Sequence, residues 1–157
     1  MARTTFSGPV ASDNGFIGNI TGNVTGNVTG NVAGTGSVTH ATTAAVNATG
    51  TASAAQVATG YITSTSASPT TITLPTGTAL GAALGAVRGT VFDLYIDNTA
   101  GASAVTVAVN TNAVLSSAAV DTAGSFGDLT IAAGATGIAR FTLMFSSATA
   151  YTFTRTA

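Results

Sequence analysis

A four-residue repeat sets the narrowest limits on how this chain can fold. It reads Gly18-Asn-Ile-Thr, Gly22-Asn-Val-Thr, Gly26-Asn-Val-Thr, Gly30-Asn-Val-Ala, and it closes at Gly34. A helix would carry a glycine at every fourth position, each costing about 1 kcal/mol relative to alanine, and Asn, Val and Thr are weak helix formers as well. An extended backbone suits the period, because side chains then alternate between two faces. Ile20, Val24, Val28 and Val32 share one face with the glycines, while Asn19, Thr21, Asn23, Thr25, Asn27 and Thr29 share the other. Fully extended, the repeat reaches on the order of 50 Å. One such strand is not stable alone in water. Glycine on the apolar face lets a second backbone approach closely, so the pattern predicts copies meeting along a seam at Ile20, Val24, Val28 and Val32, or one copy laid along a partner's strand. The competing reading is a flexible glycine-rich linker.

Charge points the same way. Four arginines, five aspartates and no lysine or glutamate leave 6% of the chain charged, against roughly 25% in an ordinary soluble domain. Such a surface has little electrostatic protection against association. Four scattered arginines do not make a phosphate-binding groove, which argues against nucleic acid as a partner. Cysteine is absent, so disulfides and thiolate metal sites are excluded, which fits a reducing compartment. The N-terminal residues do not read as a secretory signal, and no stretch is long and apolar enough for a membrane span.

Four zones follow along the chain. Residues 1–17 hold Phe6, Val10, Phe16 and Ile17 around the turn Asp13-Asn14-Gly15; these apolar side chains either cap the repeat or dock onto a partner. Residues 18–34 are the repeat. Residues 35–68, rich in Ala, Thr and Ser, read as a loosely ordered connector with a short helix at 52–59. Residues 69–157 read as strands broken by turns: 71–74, 90–96, 104–109, 114–115, 128–131, 137–145 and 150–155. Alternation turns Phe92, Leu94 and Ile96 inward, and likewise Val105, Val107 and Val109, then Leu129 and Ile131. It does the same for Phe141, Leu143 and Phe145, and for Tyr151 and Phe153. Leu80, Leu84 and Val87 at helical spacing predict one short helix, and Gly81 and Gly85 predict close packing on a sheet. The expected fold is all-β: an antiparallel, jelly-roll-like β-sandwich with one short helix, preceded by the extended repeat arm.

Chemistry-bearing residues are sparse. His40, the single histidine, lies in the connector, a poor place for a base that must be held in fixed geometry. Asp93 and Asp97 share a strand face but stand roughly 13 Å apart along it, beyond the separation that paired-carboxylate hydrolysis uses. They read as solvated charges. No metal-ligand spacing or phosphate-binding glycine loop occurs. No cofactor is expected, and the chain reads as non-enzymatic.

The opening Thr5-Phe-Ser-Gly-Pro-Val-Ala-Ser-Asp-Asn-Gly-Phe16 leads directly into Gly-Asn-Val-Thr repeats. In this it resembles small virion proteins of tailed bacteriophages, notably head decoration (cement) and head-fibre proteins. The second half is similar to β-sandwich modules of phage structural proteins, through Ile72-Thr-Leu-Pro75, Gly89-Thr-Val-Phe-Asp-Leu-Tyr-Ile-Asp-Asn98, Ile131-Ala-Ala-Gly-Ala-Thr-Gly137 and Phe141-Thr-Leu. The resemblance implies a homotrimer made in the host cytoplasm. It would sit on the outside of an icosahedral capsid, bound to the major capsid protein and reinforcing the shell. Phe6, Val10, Phe16 and Ile17 would then grip the shell. The alternative is a tail-fibre or spike component that binds a host receptor, against which the scarcity of aromatics, with no Trp and only three Tyr, leans.

Overall fold

The computed structural model describes residues 40, 42–116 and 129–156. The segment 1–17 and the repeat 18–34 lie outside the described residues, and with them Phe6, Val10, Phe16, Ile17, Ile20, Val24, Val28 and Val32. The described part contains ten strands and two helices. In chain order these are β1 (Ala44–Ala45), β2 (Gly50–Thr51), α1 (Ala54–Ala58), β3 (Tyr61–Thr63), β4 (Thr70–Thr73), α2 (Gly77–Leu84) and β5 (Val91–Asp97), followed by β6 (Val105–Ala108), β7 (Ala113–Leu115), β8 (Thr130–Ile131), β9 (Ile138–Ser147) and β10 (Ala150–Arg155). They form a six-stranded sheet, β1-β3-β5-β9-β10-β7, and a four-stranded sheet, β2-β4-β6-β8.

The sheets are mixed, which corrects the expected antiparallel all-β sandwich. β1, β3 and β5 run parallel, as do β2, β4 and β6, and β10 with β7. Only β5/β9, β9/β10 and β6/β8 are antiparallel. The reason lies in how the chain winds. Each of β1→β2, β3→β4 and β5→β6 passes from the larger sheet to the smaller, and the chain returns through α1 and then α2. A chain that leaves a sheet and comes back by a crossover re-enters in its original direction, so its strands stack in parallel. Three windings give the rows Ala44–Ile62–Ile96 in one sheet and Gly50–Ile72–Val107 in the other. Residues 44–63, expected as a loose connector, therefore supply three strands and a helix.

Both sheets feed one core. Ile62, Leu94, Ile96, Phe141, Leu143 and Phe153 enter from the larger sheet, Ile72, Val105, Val107 and Ile131 from the smaller, and Val57 and Leu80 from the helices. Burying each of these side chains contributes on the order of 1.5–3 kcal/mol. Alternation held along β5, β9 and β10. It failed at Val109, which lies past the end of β6 and stays exposed.

Two helices form, α1 within the expected segment 52–59 and α2 at the spacing of Leu80 and Leu84, each for local reasons. Ser53 caps α1 by accepting a hydrogen bond from Gln56 N–H while the Gln56 side chain accepts one from Ser53 N–H, a reciprocal box that satisfies two otherwise free donors. Thr76 caps α2 through Ala79 N–H, and Gly85 ends it at φ +60°, a left-handed conformation that glycine adopts without strain. The close approach to the sheet uses Gly77 and Gly81 rather than Gly81 and Gly85. A Cβ at Gly77 would overlap the Thr149 carbonyl oxygen, and one at Gly81 the Ala148 carbonyl oxygen. The Tyr151 hydroxyl donates to the Pro75 carbonyl at 2.8 Å, tying β10 to the entry of α2, and burial pushes that hydroxyl's pKa up.

A second polar tie closes the other end. Asn98, fully buried just after β5, directs its Nδ2 at the carbonyls of Ser103 (3.0 Å), Ala132 (2.9 Å) and Ile131 (3.4 Å). It thereby fixes the passage to β6 against the strand β8 and the loop behind it.

Candidate functional site

The outward face of the six-stranded sheet is the surface that the fold presents. Register places Val91, Met144, Thr152 and Val114 in one row across β5, β9, β10 and β7. The next row is Asp93, Thr142 and Thr154, and the one after it Tyr61, Tyr95 and Arg140. Beyond it run Thr63, Asp97 and Ile138. One edge of the face is thus apolar and open, with Val91 63% exposed, Val114 50% and Met144 44%, while Ile138, 49% exposed, stands at the opposite end beside Asp97. The middle is polar and aromatic.

His40 completes that middle. Its ring lies 5.8 Å from the Tyr61 ring and 5.6 Å from the Tyr95 ring, centroid to centroid, and the two tyrosines stack at 6.3 Å with 21° between their planes. Imidazole Nδ1 is 2.9 Å from the Thr59 carbonyl oxygen. A carbonyl only accepts, so Nδ1 carries the proton, and in the neutral form of the ring the lone pair is on Nε2. Gly60 makes room for this, since a Cβ there would overlap the imidazole, and its φ of +74° suits glycine. Beside the histidine a cleft of about 270 Å³ is lined by His40, Val91, Phe92, Asp93 and Tyr95.

The carboxylates flank the aromatics. The Tyr61 hydroxyl donates to Asp97 at 2.9 Å, and Asp97 also accepts from the Thr99 hydroxyl (2.6 Å) and Thr99 N–H (2.9 Å). Burial alone would raise the Asp97 pKa; the three hydrogen bonds outweigh it and hold the carboxyl below its ordinary value. Burial, then the bond to Asp97, pushes the Tyr61 hydroxyl up. Asp93 accepts from the Thr142 hydroxyl at 2.6 Å. Asp97 is therefore a bound, half-buried group and not the freely solvated charge expected from alternation.

Among the described residues, no group of three or more His, Cys, Asp or Glu is placed to hold a metal ion, and no helix is long and apolar enough to cross a membrane. Comparison with protein-family models, with curated proteins and with solved structures finds no match. The expected docking residues and seam residues all lie outside the described part, so the structure brings none of them together. What sequence reasoning missed is the cluster of His40, Tyr61 and Tyr95. Strand phase did place Tyr95 and Asp93 on the outward face. Nothing in the phase of a single strand says that Tyr61, 34 positions earlier, stacks beside Tyr95.

Proposed function

We propose that this chain is a structural virion protein that decorates the outside of a tailed-bacteriophage capsid as a homotrimer bound to the major capsid protein. One observation carries the reading: the outward sheet face keeps Val91, Met144, Val114 and Ile138 open to solvent in a chain with only four arginines and five aspartates. Exposed apolar rows on a weakly charged surface favour association over solitary existence in solution. The Gly/Val face of the repeat supplies the seam, through Ile20, Val24, Val28 and Val32, and Phe6, Val10, Phe16 and Ile17 hold the shell. In this role the chain needs no catalytic group and no cofactor.

The test is oligomeric mass. Light scattering on the full chain is expected to give a trimer, and Val24→Asp together with Val28→Asp is expected to give monomers. A trimer that survives the double substitution refutes the seam.

A second reading has its own support. Stacked tyrosines beside a histidine and two carboxylates suit a tail-fibre or spike component that contacts a host receptor. Copy number in purified virions separates the two: a decoration protein is present in hundreds of copies, a fibre component in far fewer.

A further inference from the structure

The cleft beside His40 has features that the structural role does not use. It lies on the side of β5 where β3 has ended: β3 pairs with Tyr95–Asp97 only, and the chain enters it through the turn at Gly60. On that side Val91 and Asp93 line an opening at the sheet surface, while on the other they pair with β9. Three polar groups there have unused capacity among the described residues. They are Nε2 of His40, whose other nitrogen faces Thr59; the second carboxylate oxygen of Asp93, whose first accepts from Thr142; and the hydroxyl of Tyr95. A neutral imidazole nitrogen and a carboxylate oxygen accept, and a tyrosine hydroxyl both donates and accepts. The remaining lining is the Tyr95 ring with Val91 and Phe92.

We propose that this cleft binds one pyranose ring of a neutral or amino sugar. The acceptors call for a ligand rich in hydroxyl donors, and the aromatic wall calls for one that also has an apolar face. A pyranose has both, with its ring C–H groups on one side and its hydroxyls around the rim. The volume of about 270 Å³ falls just under the roughly 300–1,000 Å³ of sites that take drug-sized ligands, so a single ring fits and a longer oligosaccharide would extend over the open sheet. Charge sets the specificity. Asp93 is the charged residue that lines the cleft and repels an acidic sugar, while Arg140, the register partner of Tyr95, is engaged with Thr156; neutral and amino sugars are admitted and uronic acids disfavoured. An organic cation is the nearest rival, because aromatic rings and carboxylates also attract ammonium groups. Tyr61 and Tyr95 lie nearly parallel, 21° apart, and of the two only Tyr95 lines the cleft; choline stands for that rival in the test below. The site is independent of whether the chain decorates a shell or belongs to a fibre, and its test does not depend on oligomeric state.

His40 is the single histidine, so its ring resonances report on the cleft without ambiguity. The full-length protein is titrated with glucose, galactose, N-acetylglucosamine and glucosamine, and separately with glucuronate and choline, while the His40 ring protons are followed by NMR. At least one neutral or amino sugar is expected to shift them saturably, with a Kd on the order of 1 mM. Tyr95→Ala is expected to abolish the shift. Asp93→Asn, which keeps the side-chain shape, is expected to weaken binding about tenfold, as the loss of a charged acceptor predicts. The rest of the amide spectrum should be unchanged in Asp93→Asn, which separates lost binding from lost folding. The proposal is overturned if none of the four sugars shifts His40, if choline alone does, if glucuronate binds as well as the neutral sugars, or if binding in Asp93→Asn equals wild type.

Discussion

Asn98→Asp is the most demanding test of how the described unit is held together. The substitution changes one atom and no volume. In the wild type, Nδ2 donates toward the carbonyls of Ser103, Ala132 and Ile131, at 3.0, 2.9 and 3.4 Å. Oδ1 is buried with no hydrogen-bond partner among the described residues. An aspartate there would direct one oxygen at three carbonyl oxygens and leave the other without a donor. Two good hydrogen bonds vanish, at about 1 kcal/mol each. The larger effect is an unpaired buried charge, for which about 3–5 kcal/mol is typical. The carboxyl escapes part of this by taking up a proton, so its folded-state pKa rises above the unfolded value of about 3.9. The sign follows: the variant is least impaired below that unfolded value, and its stability is lost as pH rises through the folded pKa. Urea denaturation of the full chain, followed by far-UV circular dichroism, is expected to show a deficit of roughly 4 kcal/mol or more at pH 7. That deficit should shrink to about 2 kcal/mol at pH 3.5, where only the donors are missing. A variant within about 1 kcal/mol of wild type at pH 7, or a deficit independent of pH, would refute the view that Asn98 clamps this end of the sheets as a buried donor.

Two further outcomes follow from the packing and from the outward face. Gly81→Ala puts a methyl group into the Ala148 carbonyl oxygen, which is backbone and cannot swing aside. Despite alanine's better helix propensity, thermal unfolding is expected to show a loss of about 1–3 kcal/mol, whereas Gly50→Ala, where a Cβ meets nothing within 4 Å, should be nearly neutral. Asp97 titrates below its ordinary value, so the stability it adds is present above the unfolded pKa and is lost as pH falls through the folded one. Wild type should therefore exceed Asp97→Asn in urea midpoint at pH 6, and the gap should narrow as pH falls below the unfolded value of about 3.9; a gap independent of pH would sink the assignment.

Much of the strand pattern was legible because β-branched and aromatic residues alternate with polar ones wherever one face is buried. The segments at 91–97 and 138–147 announce their inward sides through Leu94, Ile96, Phe141, Leu143 and Phe145, all of which are buried. Strand direction was not legible. Alternation is the same in parallel and antiparallel ladders, and direction depends on whether a loop turns back or carries the chain to another sheet. The loop from Asn98 to Ala104 reads locally as a hairpin turn, yet it leads from β5 to β6 in the other sheet. The two-residue strands Ala44–Ala45 and Gly50–Thr51 carry no alternation at all; their neighbours Ile62 and Ile72 define them. The helix at Leu80 and Leu84 was visible, but its end was overshot: the apolar spacing runs on to Val87, while Gly85 turns left-handed and stops it. His40 was illegible as part of a cluster, because its partners Tyr61 and Tyr95 meet only once β3 stacks on β5.

The winding also bears on how copies of this chain would meet. A sheet offers two routes to association, its edges and its faces. Among the described residues, the strands bordering the two sheets are β1, β7, β2 and β8, each of two or three residues. An incoming strand could form at most a few ladder hydrogen bonds there, and short edges are a recognised guard against edge-to-edge pairing. The outward face is different. Along it Val91, Met144 and Val114 share a register row with Thr152 as the one polar member, and no charged side chain interrupts that row. Association of the folded unit, where it occurs, is therefore expected to proceed face to face and to be insensitive to prolines placed in β1 or β2. Met144→Lys should weaken it, because a charge would then sit in the middle of the row to be desolvated.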